Sequence, residues 1–122
     1  MLESLSPIDG RYEKKSLPLA AYFSEKALMK YRLIIEGEYL MALSETKGIS
    51  LRKFTQEEKS LIRGLYDLDL VGANKIKEFE AVTNHDVKAV EYFLKEKLKK
   101  TSLKDSLEWI HFALTSEDIN NL

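Results

Sequence analysis

Apolar residues recur along this chain at intervals of three and four, the spacing that lines up side chains on one face of an α-helix. From Ala20 to about Leu43 the pattern predicts one long helix. Within 27–43 only Lys30, Arg32, Glu36 and Glu38 are charged, so more than one side of that helix should be buried. Thr46-Lys47-Gly48 predicts its end, with Gly48 able to take the left-handed conformation that closes helices. Thr55-Gln56-Glu57-Glu58 has the capping-box pattern that opens another helix. Its face would run through Leu61, Leu65 and Leu68 to Ile76 and Phe79, with a break around Asp67-Leu68-Asp69-Leu70 and Gly72. Val87, Val90, Leu94 and Leu98 follow at spacings of 3, 4 and 4, and Leu103, Leu107, Ile110 and Leu114 at 4, 3 and 4, predicting two more helices. Lys95, Lys97, Lys99 and Lys100 fall in the last turns of the first of these, where cations complement the helix dipole. Residues 1–19 are the exception, because Ser6-Pro7-Ile8-Asp9-Gly10-Arg11-Tyr12 is built of turn formers. No period-2 strand emerges, so the expected fold class is all-α.

Composition narrows the function more than the fold. The 122 residues suffice for one modest domain with its own core. With 19 basic and 20 acidic residues the net charge is −1, which gives no reason to expect a nucleic-acid partner. The absence of cysteine excludes disulfides and thiolate metal sites, and two histidines, His85 and His111, argue against a zinc centre. No apolar run approaches the roughly 20 residues that span a bilayer, so no membrane partner is expected. Met1-Leu2-Glu3-Ser4 lacks the basic start and apolar block of a signal peptide, and the default reading is cytoplasmic. Ser116 to Leu122 reads as the first two turns of a helix with nothing to close it, which suggests a fragment of something longer.

Candidate chemistry sits in three polar segments. Thr83-Asn84-His85-Asp86 stands where a helix should begin, crowding the N–H groups of its first turn. Those donors and the positive end of the dipole suit an anion. Thr115-Ser116-Glu117-Asp118 repeats the design about thirty residues later, where two hydroxyls could surround a carboxylate. Arg11-Tyr12, directly after Gly10, offers a bidentate fork for phosphate and a hydroxyl. Each has a plainer reading: Arg11 as a solvated charge beside a packing tyrosine, Asn84 or Asp86 as a simple N-cap, Thr115 and Ser116 as capping residues. His111, four residues before Thr115, reads as a hydrogen-bonded core histidine rather than a catalyst.

Together the segments resemble a known family. Ser6-Pro7-Ile8-Asp9-Gly10-Arg11-Tyr12, Thr83-Asn84-His85-Asp86-Val87-Lys88-Ala89-Val90-Glu91-Tyr92-Phe93-Leu94 and His111-Phe112-Ala113-Leu114-Thr115-Ser116-Glu117-Asp118-Ile119-Asn120-Asn121-Leu122 resemble the adenylosuccinate lyases of the fumarase/aspartase superfamily, in their longer bacterial form. The resemblance runs through essentially all 122 residues in order. It implies an N-terminal helical domain over residues 1–110, with 111–122 beginning a central helical bundle. It also implies a cytoplasmic homotetramer that needs no cofactor or metal and releases fumarate from succinylated purine nucleotides. Arg11 and Tyr12 would contact the nucleotide near its phosphate, Asn84, His85 and Asp86 would bind substrate, and Thr115 and Ser116 would hold the succinyl carboxylate. The general-acid histidine and the serine-bearing loop of the family have no counterpart here, so the chain alone is expected to be inactive. His111 matches a non-catalytic position. The rivals are another lyase of the superfamily and a helical binding module without catalysis. If more protein normally covers this domain, apolar faces such as that of 103–114 should be exposed and favour self-association.

Overall fold

The computed structural model describes residues 2–122. Among them every regular element is helical, as the periodicity predicts. After an exposed turn segment come two four-residue helices, α1 (Glu13–Ser16) and α2 (Ala20–Phe23), linked by a 3-10 turn at Leu17–Leu19. The long helix α3 spans Glu25–Glu45, 21 residues or about 31 Å. It does not begin at Ala20 as expected. Ser24 takes an extended backbone and its hydroxyl accepts the Ala27 N–H at 3.1 Å, which caps α3 and separates it from α2. The helix ends on an extended Thr46, and Gly48, expected to close it, takes its left-handed φ of +86° two residues later in the following turn.

Helix α4 (Gln56–Gly64) starts at the expected capping box: Thr55 Oγ1 accepts the Glu58 N–H, and Glu58 Oε2 accepts the Thr55 N–H. The chain breaks over 65–69, and Asp69 then caps α5 (Leu70–Thr83) by accepting the Gly72 N–H at 2.7 Å. Helix α6 (Asp86–Leu98) returns beside α5 and also packs on α3, so it is buried on several sides through Val87, Ala89, Val90, Phe93, Leu94 and Leu98. With Leu33, Leu40, Ile62 and Ile76, all of these but Val87 form one continuous core.

The helix expected over 103–114 is different in form. Ser102–Trp109 is a 3-10 helix, Ile110 is extended, and His111 and Ala113 have φ of 63° and 60°. At its start the Ser102 carbonyl accepts from Arg52 Nη2 at 3.0 Å. The tighter turn points Leu103 and Ser106 inward, and Leu103 and Ile110 are buried in the core. Of the apolar face expected to lie bare on this segment, Leu103 and Ile110 are covered, whereas Phe112 is exposed and Leu114 borders an open groove. Further bare apolar surface lies at Leu2, Leu5, Ile8, Leu17, Tyr22 and Phe23, and in that groove of about 800 Å³ between α3 and α7 (Ser116–Asn120). Ile34, Ile35, Tyr39, Leu114 and Leu122 line that groove. Among the described residues no helix is long and apolar enough to cross a membrane.

Candidate functional site

The reversal between α5 and α6 depends on Asn84. Its φ of 54° and ψ of 33° close α5, a left-handed position that asparagine tolerates better than most residues. His85 is then extended and becomes the N-cap of α6, its Nδ1 accepting the Lys88 N–H at 3.1 Å. Asp86 Oδ1 accepts the Val87 N–H at 2.9 Å. Two of the first N–H groups of α6 are thus filled by the chain's own side chains, leaving fewer for an external anion than the sequence alone suggests.

Arg32, near the middle of α3 and only 7% exposed, reaches this corner from below. Its Nη2 pairs with Asp86 Oδ2 at 2.6 Å and its Nε donates to Asn120 Oδ1 at 3.1 Å. Burial pushes the Asp86 carboxyl up, but the Val87 N–H and the Arg32 cation outweigh it and hold the group below the usual carboxylate range. The second polar corner lies alongside, with Ser116 Oγ 3.3 Å from His85 Nε2. A backbone N–H only donates, so Nδ1 of His85 must be the bare nitrogen. The neutral ring therefore carries its proton on Nε2 and donates it to Ser116. The serine hydroxyl keeps its own proton for a further acceptor, as a carboxylate would be.

Thr115 is differently engaged. Asp118 Oδ2 accepts both its N–H at 2.7 Å and its hydroxyl at 3.1 Å, which together hold the Asp118 carboxyl below its ordinary value. Helix α7 has only five residues, too few for a sizeable dipole, so side-chain donors matter more there than the helix end. His111 Nδ1 pairs with Glu36 Oε1, a fully buried carboxylate on α3, in keeping with a hydrogen-bonded histidine rather than an exposed acid–base group.

The structure thus brings Asn84, His85 and Asp86 together with Ser116, and sets Thr115 beside them. Arg11 and Tyr12 are not joined to them by any hydrogen bond or ion pair among the described residues. Both are exposed, with the Arg11 guanidinium 5.3 Å from the Tyr12 ring centre. Arg32 is the residue that sequence reading passed over. Its signal was a lone arginine inside an apolar helix. Among the described residues no group of three or more His, Asp or Glu is arranged to hold a metal ion.

The stretch that builds this surface is similar to proteins of one class, the adenylosuccinate lyases. Within that class, the chain is 48% identical over 124 residues to the adenylosuccinate lyase of Haemophilus influenzae, a match covering 99% of this chain and 27% of that protein. It is 47% identical over 130 residues to the adenylosuccinate lyase of Legionella pneumophila, with the same coverage. It is 49% identical over 127 residues to that of Dictyostelium discoideum, covering 98% of this chain and again 27% of the relative. No family model matches the chain. The chain is a homologue of the adenylosuccinate lyases along almost all of its residues, and it spans about a quarter of their length.

Proposed function

We propose that this chain is the N-terminal portion of an adenylosuccinate lyase, with residues 1–110 as its first helical domain and 111–122 beginning the central bundle. The whole enzyme would eliminate fumarate from adenylosuccinate, giving AMP, and from the succinylated aminoimidazole carboxamide ribotide. What carries the reading is 40–49% identity with proteins of that name over 98–99% of the chain. The geometry supports it chemically. Removal of a proton beside a carboxylate needs that carboxylate held by fixed donors, and Ser116, accepting from His85, keeps a hydroxyl proton to donate. His85, Asp86 and Asn84 would bind the substrate next to it, with Thr115 at the edge. Arg11 and Tyr12 would serve the phosphate end in an assembled pocket, where a homotetramer brings surfaces of several subunits together. The catalytic acid and base would come from residues outside this chain, and no cofactor would be used. The assembled protein would be cytoplasmic, with small-molecule nucleotides rather than nucleic acid as partners.

A chimera tests this. The corresponding stretch of the Haemophilus influenzae relative is replaced by this chain, and fumarate release from adenylosuccinate and from argininosuccinate is followed by absorbance. Release from adenylosuccinate alone is expected, while the purified 122-residue chain releases none. A folded chimera with no activity, or one that prefers argininosuccinate, would overturn the reading.

A further inference from the structure

Helix α3 presents Arg32, Glu36 and Tyr39 at i, i+4 and i+7, and so on one face. Each grips a different point of the 111–120 segment. Arg32 Nε donates to Asn120, Glu36 pairs with His111, and the Tyr39 hydroxyl donates to the Phe112 carbonyl at 2.9 Å. Between those grips the backbone is left-handed at His111 and Ala113, a conformation that is strained for non-glycine residues. Such a conformation persists only where its surroundings over-determine it.

Arg32 differs from the other two in having a second partner. One buried guanidinium holds Asp86, the first residue of α6, and Asn120, the last of α7. It therefore joins the two segments that carry His85 and Ser116. The rigid fork suits this task, because its nitrogens point along fixed directions whereas an ammonium is a single point charge.

We propose that Arg32 is a positioning residue that sets His85 against Ser116. By tying Asp86 to Asn120 it keeps the Nε2–H of His85 on the serine oxygen and turns the serine's own proton outward. Its value to an anionic ligand rests on the reading of Ser116 as a carboxylate donor.

The test uses NMR of the full chain, whose two histidines can be resolved from each other in long-range 15N–1H spectra. Wild type is expected to show the Nε2–H form of neutral His85 and an NOE from its ring to the Ser116 β-protons. Arg32→Met is expected to abolish that NOE while core amides such as those of Val90 and Leu94 keep their shifts. Asn120→Ala, at an exposed position, is expected to weaken the NOE at least about two-fold with the melting temperature unchanged. Arg32→Lys, which keeps the charge toward Asp86, should resemble it. A wild-type NOE in either Arg32→Met or Asn120→Ala overturns the proposal, and Asn120→Ala decides if Arg32→Met does not fold. Fumarate titrated against the Ser116 amide separates the two readings. If the NOE responds as expected but fumarate shifts nothing in wild type, the carboxylate reading fails and the positioning role stands. Several-fold weaker fumarate binding in Asn120→Ala supports both.

Discussion

Two arginines hold this domain together in different ways. Arg52 binds both Glu58 oxygens at 2.7 and 2.9 Å, both Asp105 oxygens at 2.8 and 3.2 Å, and the Ser102 carbonyl. Ser102 and the Thr55 N–H complete the shell of Glu58, so the start of α4 and the 3-10 helix are joined by a cluster with few unused atoms. Arg32 is more deeply buried, yet its partners Asp86 and Asn120 are exposed. One turn along, Glu36 Oε2 is buried with no hydrogen-bond partner among the described residues, and two residues nearby are left-handed. A cluster that satisfies itself is a staple. One that leaves donors, acceptors and strain beside an open surface is where binding belongs.

The largest expected effect falls on the staple. Hydrogen bonds from Arg52 lead the causes that hold the Glu58 carboxyl at about 2, against 4.5 for the ordinary group. The folded state therefore binds fewer protons between these values. Its contribution is complete above about pH 4.5 and is lost as pH falls toward 2, on the order of 2 kcal/mol once solvent screening of the partly exposed Arg52 is allowed for. Arg52→Ala removes the leading cause, and a loss of about 2 kcal/mol at neutral pH is expected in urea unfolding, with a flatter acid limb. An unchanged acid limb would break the contrast, because Glu58 would then owe its stability to something other than Arg52.

The staple's capping box was legible because its parts lie within four residues, as were the left-handed Gly48 turn and the apolar face of α6. Interactions across long separations were not. The 3-10 form of Ser102–Trp109 goes with a contact to Arg52, some fifty residues earlier, which a 4, 3, 4 spacing read as an α-helix could not reveal. Ser24 carries a visible capping side chain, but the apolar period running through it favoured one continuous helix. The two polar corners of the candidate site were legible as residue types. Their meeting depends on Arg32, whose contact to Asn120 spans 88 positions. The separation of Arg11 and Tyr12 from those corners is likewise a property of tertiary structure.

A smaller effect is expected when charge is removed from the second cluster. Burial raises the Glu36 pKa, the His111 hydrogen bond opposes it, and the Glu91 charge acts in the same direction as burial. The sign is the reverse of Glu58: the contribution of Glu36 is full below the ordinary carboxylate value and is lost as pH rises through its folded value. Glu36→Gln keeps the shape and a partner for His111 while removing a desolvated charge. Stability at neutral pH should change by no more than about 1 kcal/mol, toward stabilisation, whereas Glu58→Gln should cost about 2 kcal/mol. Equal losses from the two substitutions in urea titrations would mean that both clusters are staples.

The smallest effect on folding is expected at Ser116, and it sharpens the contrast most. Its hydroxyl accepts from a half-exposed histidine at 3.3 Å and supports no helix cap, so Ser116→Ala should move stability by less than about 0.5 kcal/mol. Thr115→Ala removes a hydroxyl engaged with Asp118 at the α7 start, where about 0.5–1 kcal/mol is expected. Function should rank them the other way. In the chimera, loss of the Ser116 donor should lower fumarate release about 100-fold, and loss of the Thr115 hydroxyl clearly less, since its proton is already directed at Asp118. Thermal melts and initial rates on the same two proteins give both orders. If Ser116→Ala proved the more destabilising and the less damaging to activity, the His85–Ser116 contact would be part of the scaffold, and the surface beside Arg32 would be no different in kind from the staple around Arg52.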